Sequence, residues 1–239
     1  MGRELIQHPL ERADGSTIFS DGLYTAIAAV NGPVEVQRRD ELPEEAAVEV
    51  NLRPLSGVGG PRERWLESVL QPLFKSILLV HMHPRTLIQI TLQITKEPSI
   101  KLRRSDADIS IIPTLINATF AALVDGALPL TTTLSAVLVT VDKAGQIKTA
   151  PEGKDIAQCA SIHAMTFNTK SEQLLEQSSG SFELDTWDAV GSSAKRACVA
   201  AVAACSEDLT MNGDGQTEPW LRQVLHDRAR NANAWRDSS

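Results

Sequence analysis

The side chains that could do chemistry in this chain fall into a few small groups. Arg62 and Arg64 stand directly after a Gly-rich stretch, Ser56-Gly-Val-Gly-Gly-Pro61, at the start of an apolar-periodic run. Guanidinium groups there could grip phosphate, because a planar fork of N–H donors matches its oxygens. The other reading is two solvated charges at a helix start, which the helix dipole mildly disfavours. Arg103-Arg104 is a second basic pair, in a charged stretch where such pairs are ordinarily only hydrated. His81-Met-His83 has a spacing found in metal sites, yet no carboxylate or cysteine cluster accompanies it, so no metal is expected. Asn212-Gly-Asp-Gly215 lacks the remaining oxygen ligands of a calcium loop and reads as linker. There is no P-loop, no dinucleotide fingerprint and no Gly-x-Ser-x-Gly nucleophile motif, and no cofactor is expected.

The elements that must position these groups centre on residues 83–130. Ile88, Ile90, Leu92 and Ile94 alternate with Gln89, Thr91 and Gln93, which predicts a strand with one buried face. Ile112, Leu115, Ile116, Thr119, Phe120 and Leu123 recur with the period of a buried helix face, with Ser110 as its expected cap and Gly126 as its expected left-handed stop. Leu134 to Val141 is almost wholly apolar and predicts a strand covered on both faces. Strand, helix and strand thus form the centre of the chain.

Around that centre, Ser16 to Ser20 is a short strand between two Asp-Gly turns. Leu23 to Val30 is a strand stopped by Asn31-Gly-Pro33, and Val48, Val50 and Leu52 mark another. Trp65, Leu66, Val69, Leu70, Leu73, Phe74, Ile77 and Leu78 form a helical stripe that Pro72 is expected to kink or divide. Lys96 to Asp108 reads as a charged, irregular loop. Asp142 to Gly145 is a hairpin turn, and a strand is expected near Ile162 to Phe167. Leu184, Trp187, Val190, Ala194, Ala197, Cys198, Ala201 and Val202 predict a long helix. After a linker, Trp220-Leu221 and Val224-Leu225 predict a tail helix that either folds back or docks on a partner.

With 239 residues, 42% of them hydrophobic and 22% charged, the chain has the composition of a soluble globular protein able to bury a sizeable core. No apolar run of roughly 20 residues is apparent, so no membrane span is expected. The N-terminus shows no secretory signal. Cys159, Cys198 and Cys205 lack metal-like spacing and read as reduced residues of an intracellular protein. A net charge of −7 excludes a free-standing protein that coats nucleic acid over its whole surface, but leaves room for a local basic patch.

Four stretches, taken in order, resemble the RNase PH family: Ala13-Asp-Gly-Ser16, Asn31-Gly-Pro-Val-Glu-Val36, His83-Pro-Arg-Thr-Leu-Ile88, and Asn117-Ala-Thr-Phe-Ala-Ala-Leu-Val-Asp-Gly126 with Pro129-Leu130. Within the family the chain is most similar to the RNase PH-like ring subunits of the eukaryotic RNA exosome, over roughly 12–206. The resemblance implies an α+β, RNase PH-like (ribosomal protein S5 domain 2-like) fold with βαβ elements and a C-terminal helical tail. Residues 1–11 would be an N-terminal extension, 12–206 the RNase PH-like domain, and 207–239 the linker and tail helix.

Phosphorolysis by this family uses a Gly-Thr-Arg anion pocket at the start of the central helix and an aspartate as general acid. The resemblance places Ser110-Ile-Ile112 where Gly-Thr-Arg would stand, Ala150 where a related ring subunit carries Asp, and Ser161 near the second family aspartate. Glu152 or Asp155 could substitute as acids, but an isoleucine cannot bind phosphate. The implied function is therefore a non-catalytic ring subunit that helps form a channel threading RNA to a separate hydrolytic nuclease. Its implied partners are other RNase PH-like ring subunits and S1/KH-type cap subunits, and its implied location is nucleus, nucleolus and cytoplasm. An active phosphorolytic exoribonuclease and a stand-alone homo-oligomeric RNA-binding protein are the alternatives. Arg62 lies where active members keep a substrate-facing arginine, so Arg62 and Arg64 are the RNA-binding candidates, both expected to be exposed. Arg85, inside the His-Pro-Arg-Thr motif, is expected to fix structure or an interface. Without its ring neighbours the isolated chain is expected to self-associate or precipitate, because its half-buried strands and apolar helix stripe provide edges that a ring would cover.

Overall fold

The computed structural model describes residues 4–202 and, in the C-terminal tail, helical positions at His226, Ala229, Arg230, Asn233, Ala234 and Arg236. The expected stripe Trp220-Leu221 and Val224-Leu225, the Asn212–Gly215 stretch and Cys205 lie outside the described residues.

Five strands form the first sheet: β1 (Glu4–Gln7), β2 (Gly15–Ser20), β3 (Thr25–Glu35), β4 (Ala47–Arg53) and β5 (Thr86–Lys96), in the order β1-β2-β3-β5-β4. The alternation in β5 sets its register: Ile88, Ile90, Leu92 and Ile94 are fully buried, while Gln89, Thr91 and Gln93 turn to the other face. β4 and β5 run parallel, so a crossover must join them, and α1 (Pro61–Ile77) supplies it. Leu66, Leu70, Leu73, Phe74 and Ile77 are its buried stripe. At its start Glu63 accepts the Gly60 N–H at 2.7 Å, and Pro61 sits where a missing N–H costs nothing. α1 continues unbroken across Pro72, so of the two expected outcomes, a kink or a division, the helix is not divided. The carbonyl that Pro72 leaves without a donor belongs to Ser68, on the exposed side of the helix where water can reach it.

The second sheet contains β6 (Leu134–Val141), β7 (Ile147–Thr149), β8 (Ser161–Asn168) and β9 (Gln173–Gly180), in the order β7-β6-β8-β9. All eight residues of β6 are buried, as an almost wholly apolar run predicts. Its alternate residues serve two cores: Leu134, Ala136 and Leu138 face the main core, while Val137, Val139 and Val141 face a smaller one under α5 (Leu184–Val202). Val190, Ala194 and Cys198 close that second core. Leu184, expected in the same stripe, is exposed because it starts the helix beyond the sheet.

Between the sheets lies α3 (Ile112–Asp125), buried from Ile112 to Leu123. It packs on β2 and β3 on one side and β6 and β8 on the other, so the central helix joins two sheets instead of crossing over within one. α2 (Arg104–Ser110) immediately precedes it, in the segment expected to be an irregular loop. Together Arg104–Asp125 is long and apolar enough to cross a bilayer by length and composition, and most of it lies inside the core.

Three further local expectations change. β3 runs on through Asn31-Gly-Pro33 to Glu35, absorbing these residues as an irregularity between Asn31 and Val34. Gly126 is not left-handed (φ −76°); Ala127 takes that conformation (φ 51°). The glycine that packing requires is Gly15 of β2, where a Cβ would stand 2.4 Å from the Gly126 nitrogen, whereas a Cβ on Gly126 would come no nearer than 3.3 Å to Gly15. Finally, β1, β9 and α4 (Gly153–Gln158) carry no apolar periodicity that could announce them.

Candidate nucleic-acid interface

Arg62 and Arg64 both lie in the first turn of α1 but have different surroundings. Arg62 is not exposed as expected: its side chain is 23% accessible and clamped between two carboxylates. Its Nε donates to Asp108 Oδ1 at 2.5 Å and its Nη1 to Glu97 Oε1 at 3.3 Å. Burial opposes the guanidinium charge, and the two carboxylates more than offset that, so its pKa sits above the ordinary arginine value. Arg64 is exposed and has no ion-pair partner among the described residues. No local spacing announces the clamp, because Glu97 and Asp108 come from a segment read as a charged, irregular loop and are 35 and 46 positions away.

Two open cavities flank this cluster. One, of about 490 Å³, is lined by Tyr24, Ile100 and Leu102 as well as Arg62, Arg104 and Asp108. The other, of about 580 Å³, lies under the Gly-rich loop and shares Arg62, Glu97, Arg104 and Asp108. Arg104, at the start of α2, therefore joins Arg62 in both walls, whereas Arg64 lines neither. Arg103 is exposed beside it.

The start of α3 is the place where an anion pocket would have to form. Ser110, Ile111 and Ile112 are completely buried, and Ile111 is the only residue between α2 and α3, itself in helical conformation (φ −80°, ψ −24°). The preceding helix roofs the N–H groups that make an open helix start attractive to phosphate. Ser110 does not cap α3; its hydroxyl meets the Tyr24 hydroxyl at 2.9 Å and donates to the Ala107 carbonyl. Burial pushes the Tyr24 phenol up to about 12, so it stays neutral.

Beside that helix start is a cleft of about 40 Å³, lined by Asp21, Pro113, Thr114, Asn117 and Ala150 among others. The fold thus brings Ala150 to the α3 start. Its carboxylate, Asp21, is fully engaged: Oδ1 accepts the N–H groups of Leu23 and Tyr24 at 2.8 Å, and Oδ2 accepts the Thr114 hydroxyl at 2.5 Å. Among the described residues no cation lines the cleft, and its volume suits about one water.

The other candidate acids are also committed elsewhere. Asp155 accepts from Lys148 Nζ at 2.7 Å and from the Glu152 N–H at 3.0 Å, and the lysine holds its carboxyl below the usual range. Glu152 is the cap residue of α4. Ser161 is buried, 3.0 Å from His163 Nε2. His163 Nδ1 in turn lies 2.8 Å from Ser178 Oγ, which donates to Glu176 Oε1 at 3.0 Å. Because a carboxylate only accepts, the chain of bonds assigns the proton to Nδ1 and makes Nε2 the acceptor for Ser161.

His81 is exposed and His83 half-buried, and among the described residues no three potential ligands converge on a metal position. Arg85 takes a left-handed conformation (φ 61°), pairs with Glu41 and donates its N–H to Leu42 O, a structural role. Cys159 is half-buried, and burial raises its thiol pKa.

Comparison with known proteins finds relatives over most of the chain. The RNase PH family description, "3' exoribonuclease family, domain 1", matches residues 5–129. The chain is 31% identical over 183 residues to "Exosome complex component RRP46" of Saccharomyces cerevisiae, covering 74% of this chain and 81% of that one. It is 33% identical over 121 residues to "Exosome complex component rrp46" of Schizosaccharomyces pombe, covering 51% and 50% respectively. The crystal structure of rice (Oryza sativa) Rrp46 superposes with a TM-score of 0.69 at 27% identity, over 82% of this chain and 89% of that one. An archaeal exosome core shares the fold with a TM-score of 0.66 at 12% identity, over 94% and 86%.

Proposed function

The chain belongs to the RNase PH family of 3' exoribonucleases, and from that premise we propose that it is a non-catalytic subunit of an RNA exosome ring, of the ribosomal RNA processing protein 46 type. The observation that carries the non-catalytic part is the closed start of α3. Ser110, Ile111 and Ile112 are buried beneath α2, and the adjacent cleft holds one carboxylate, already engaged, and no cation. Phosphorolysis needs a bound phosphate as nucleophile, and phosphate needs N–H donors or guanidinium groups that face it. Here an incoming anion would meet Asp21 and three apolar or engaged positions.

In this reading the subunit closes a ring with other RNase PH-like chains, supports S1/KH-type cap subunits, and lines a channel that delivers RNA to a separate hydrolytic nuclease. Nuclear, nucleolar and cytoplasmic locations go with it. RNA is felt through Arg64 and Arg104, with Arg62 as the fixed point between their elements.

Incubation of the purified chain with single-stranded RNA, magnesium and phosphate tests the proposal. No nucleoside diphosphate is expected. Release of nucleoside diphosphates that stops when phosphate is withdrawn would overturn it. Purification through a tag on this chain should bring down other RNase PH-like chains; a homo-oligomer alone would support the stand-alone alternative.

A further inference from the structure

Each sheet of this fold has two edges, and the four edges are treated very differently. The β4 edge is sealed by α1. Glu67 accepts the Leu52 N–H at 2.7 Å, and Gln71 Nε2 donates to the Val48 carbonyl at 2.8 Å. At the end of the strand Ala46 N–H donates to Val80 O at 2.9 Å. Helix side chains thus occupy the places of a further strand. β7 is only three residues long and β1 only four, so neither presents more than a short ladder.

β9 is the exception. It has eight residues, and none of them is Lys, Arg or Pro, the residues that usually guard an edge. Its one charged residue, Glu176, does not guard it, because its carboxylate is held by the Trp187 indole N–H at 2.5 Å and the Ser178 hydroxyl. The Ser181 N–H donates to Ala160 O at 3.2 Å, and the β8–β9 register is regular from Ser161 and Gly180 back to Thr166 and Leu175. Antiparallel alternation then points the N–H and C=O groups of Ser178 and Glu176 away from β8. The close approach of Ser178 to His163 directly opposite fits a non-hydrogen-bonded pair. Among the described residues, nothing is bonded to that outer side.

We infer that the open edge of β9 receives an extended strand from a neighbouring RNase PH-like subunit, lengthening the second sheet, while the sealed β4 edge is closed to such addition. The inference rests on the ring reading above. The occupant is an extended segment because outward N–H and C=O groups that recur every second residue are matched only by another extended backbone. The molecule is therefore one-ended with respect to sheet extension, so this edge joins it to one neighbour only and its other ring contact uses a different surface.

Residue-resolved amide hydrogen exchange tests this, comparing the isolated full chain with the assembly purified through a tag on it. In the assembly the Glu176 and Ser178 amides should exchange at least about tenfold more slowly, whereas the Leu52 amide, already bonded to Glu67, should be slow in both. Unchanged rates at Glu176 and Ser178 in an assembly that contains RNase PH-like neighbours would overturn the edge assignment and leave the ring reading intact. Equal protection in a homodimer of the isolated chain would assign the edge to a second copy and overturn the stated occupant. Absence of any RNase PH-like neighbour from the purified assembly would overturn the ring reading itself.

Discussion

The side-chain amide of Asn117 pairs with both backbone groups of Ala136: Nδ2 donates to the Ala136 carbonyl at 2.9 Å, and Oδ1 accepts its N–H at 3.0 Å. The need arises because β7 covers β6 only from Val139 to Val141. Ahead of that, Ala150 N–H reaches Leu138 O, and Asn117 stands in for the missing strand at Ala136. Asn117→Leu keeps the volume but strands two buried backbone groups. It should cost about 2–4 kcal/mol, read as a lower urea midpoint at unchanged slope. An unaltered midpoint would show that the pairing contributes nothing.

Gly15→Ala should be at least as damaging. The added Cβ would lie 2.3 Å from Ala122 O and 2.4 Å from Gly126 N, both backbone atoms that cannot swing aside. Overpacking of this kind costs about 1–3 kcal/mol where neighbours can yield, and here they cannot. Thermal unfolding of the purified variant is the check; wild-type behaviour would mean that β2 shifts freely over α3.

Arg62 and Arg64 should separate cleanly in RNA binding by the assembled ring. Arg64→Gln removes an unpaired cation, and the salt slope should fall by roughly 0.7, the value for one single-strand phosphate contact. Arg62→Gln removes a guanidinium already offset by Asp108 and Glu97, so it should alter stability more than salt slope. Equal slopes for Arg64→Gln and the unaltered ring would reduce Arg64 to a hydrated charge.

His163 sets a pH dependence. Burial lowers its pKa below the ordinary value of 6.5, with Glu176 pulling weakly the other way. The unfolded chain therefore takes up the proton first as pH falls. The stability that neutral His163 contributes is present above about pH 6.5 and is lost as pH falls from there through the folded-state pKa. Urea titrations across that range should show the loss, and His163→Gln should flatten it. A slope unchanged by the substitution would place the acid sensitivity elsewhere.

Glu67→Leu with Gln71→Leu should unseal the β4 edge. The Leu52 N–H and Val48 carbonyl would lose their partners, and the isolated chain should gain a concentration-dependent associated species in sedimentation. Sedimentation identical to the unaltered chain would mean that the edge is protected by something other than these two side chains.

Period and burial made the central elements readable in advance. Ile88 to Ile94 and Leu134 to Val141 declare their faces because every second or every residue must leave water. The same logic fails for β9, whose Gln-Leu-Leu-Glu-Gln-Ser-Ser-Gly has no two-residue pattern and is a strand only because β8 pairs with it. It fails for α2 as well, where Ser105, Asp106 and Asp108 have poor intrinsic helix propensity and packing decides the outcome. That Ser110 to Ile112 carry no guanidinium was readable from residue type alone, whereas their burial beneath α2 follows from packing that no local pattern announces. The Arg62 clamp was not, because an ion pair between residues on different elements leaves no trace in local spacing.

The placement of α3 between two sheets has a consequence for how the chain is made. The first sheet is complete once Lys96 has been synthesised, but the helix that covers it ends at Asp125. At about 5–20 residues per second, the nascent chain spends a few seconds with Phe19, Ala28, Val30 and Ile90 uncovered. Then α3 arrives with an apolar far side of its own, which waits for β6 and β8. Neither half can reach its final form before the other has been made. The interval between Lys96 and Asn168 is where a chaperone that holds apolar surface would matter most, and where a stalled or truncated chain would be most prone to aggregate.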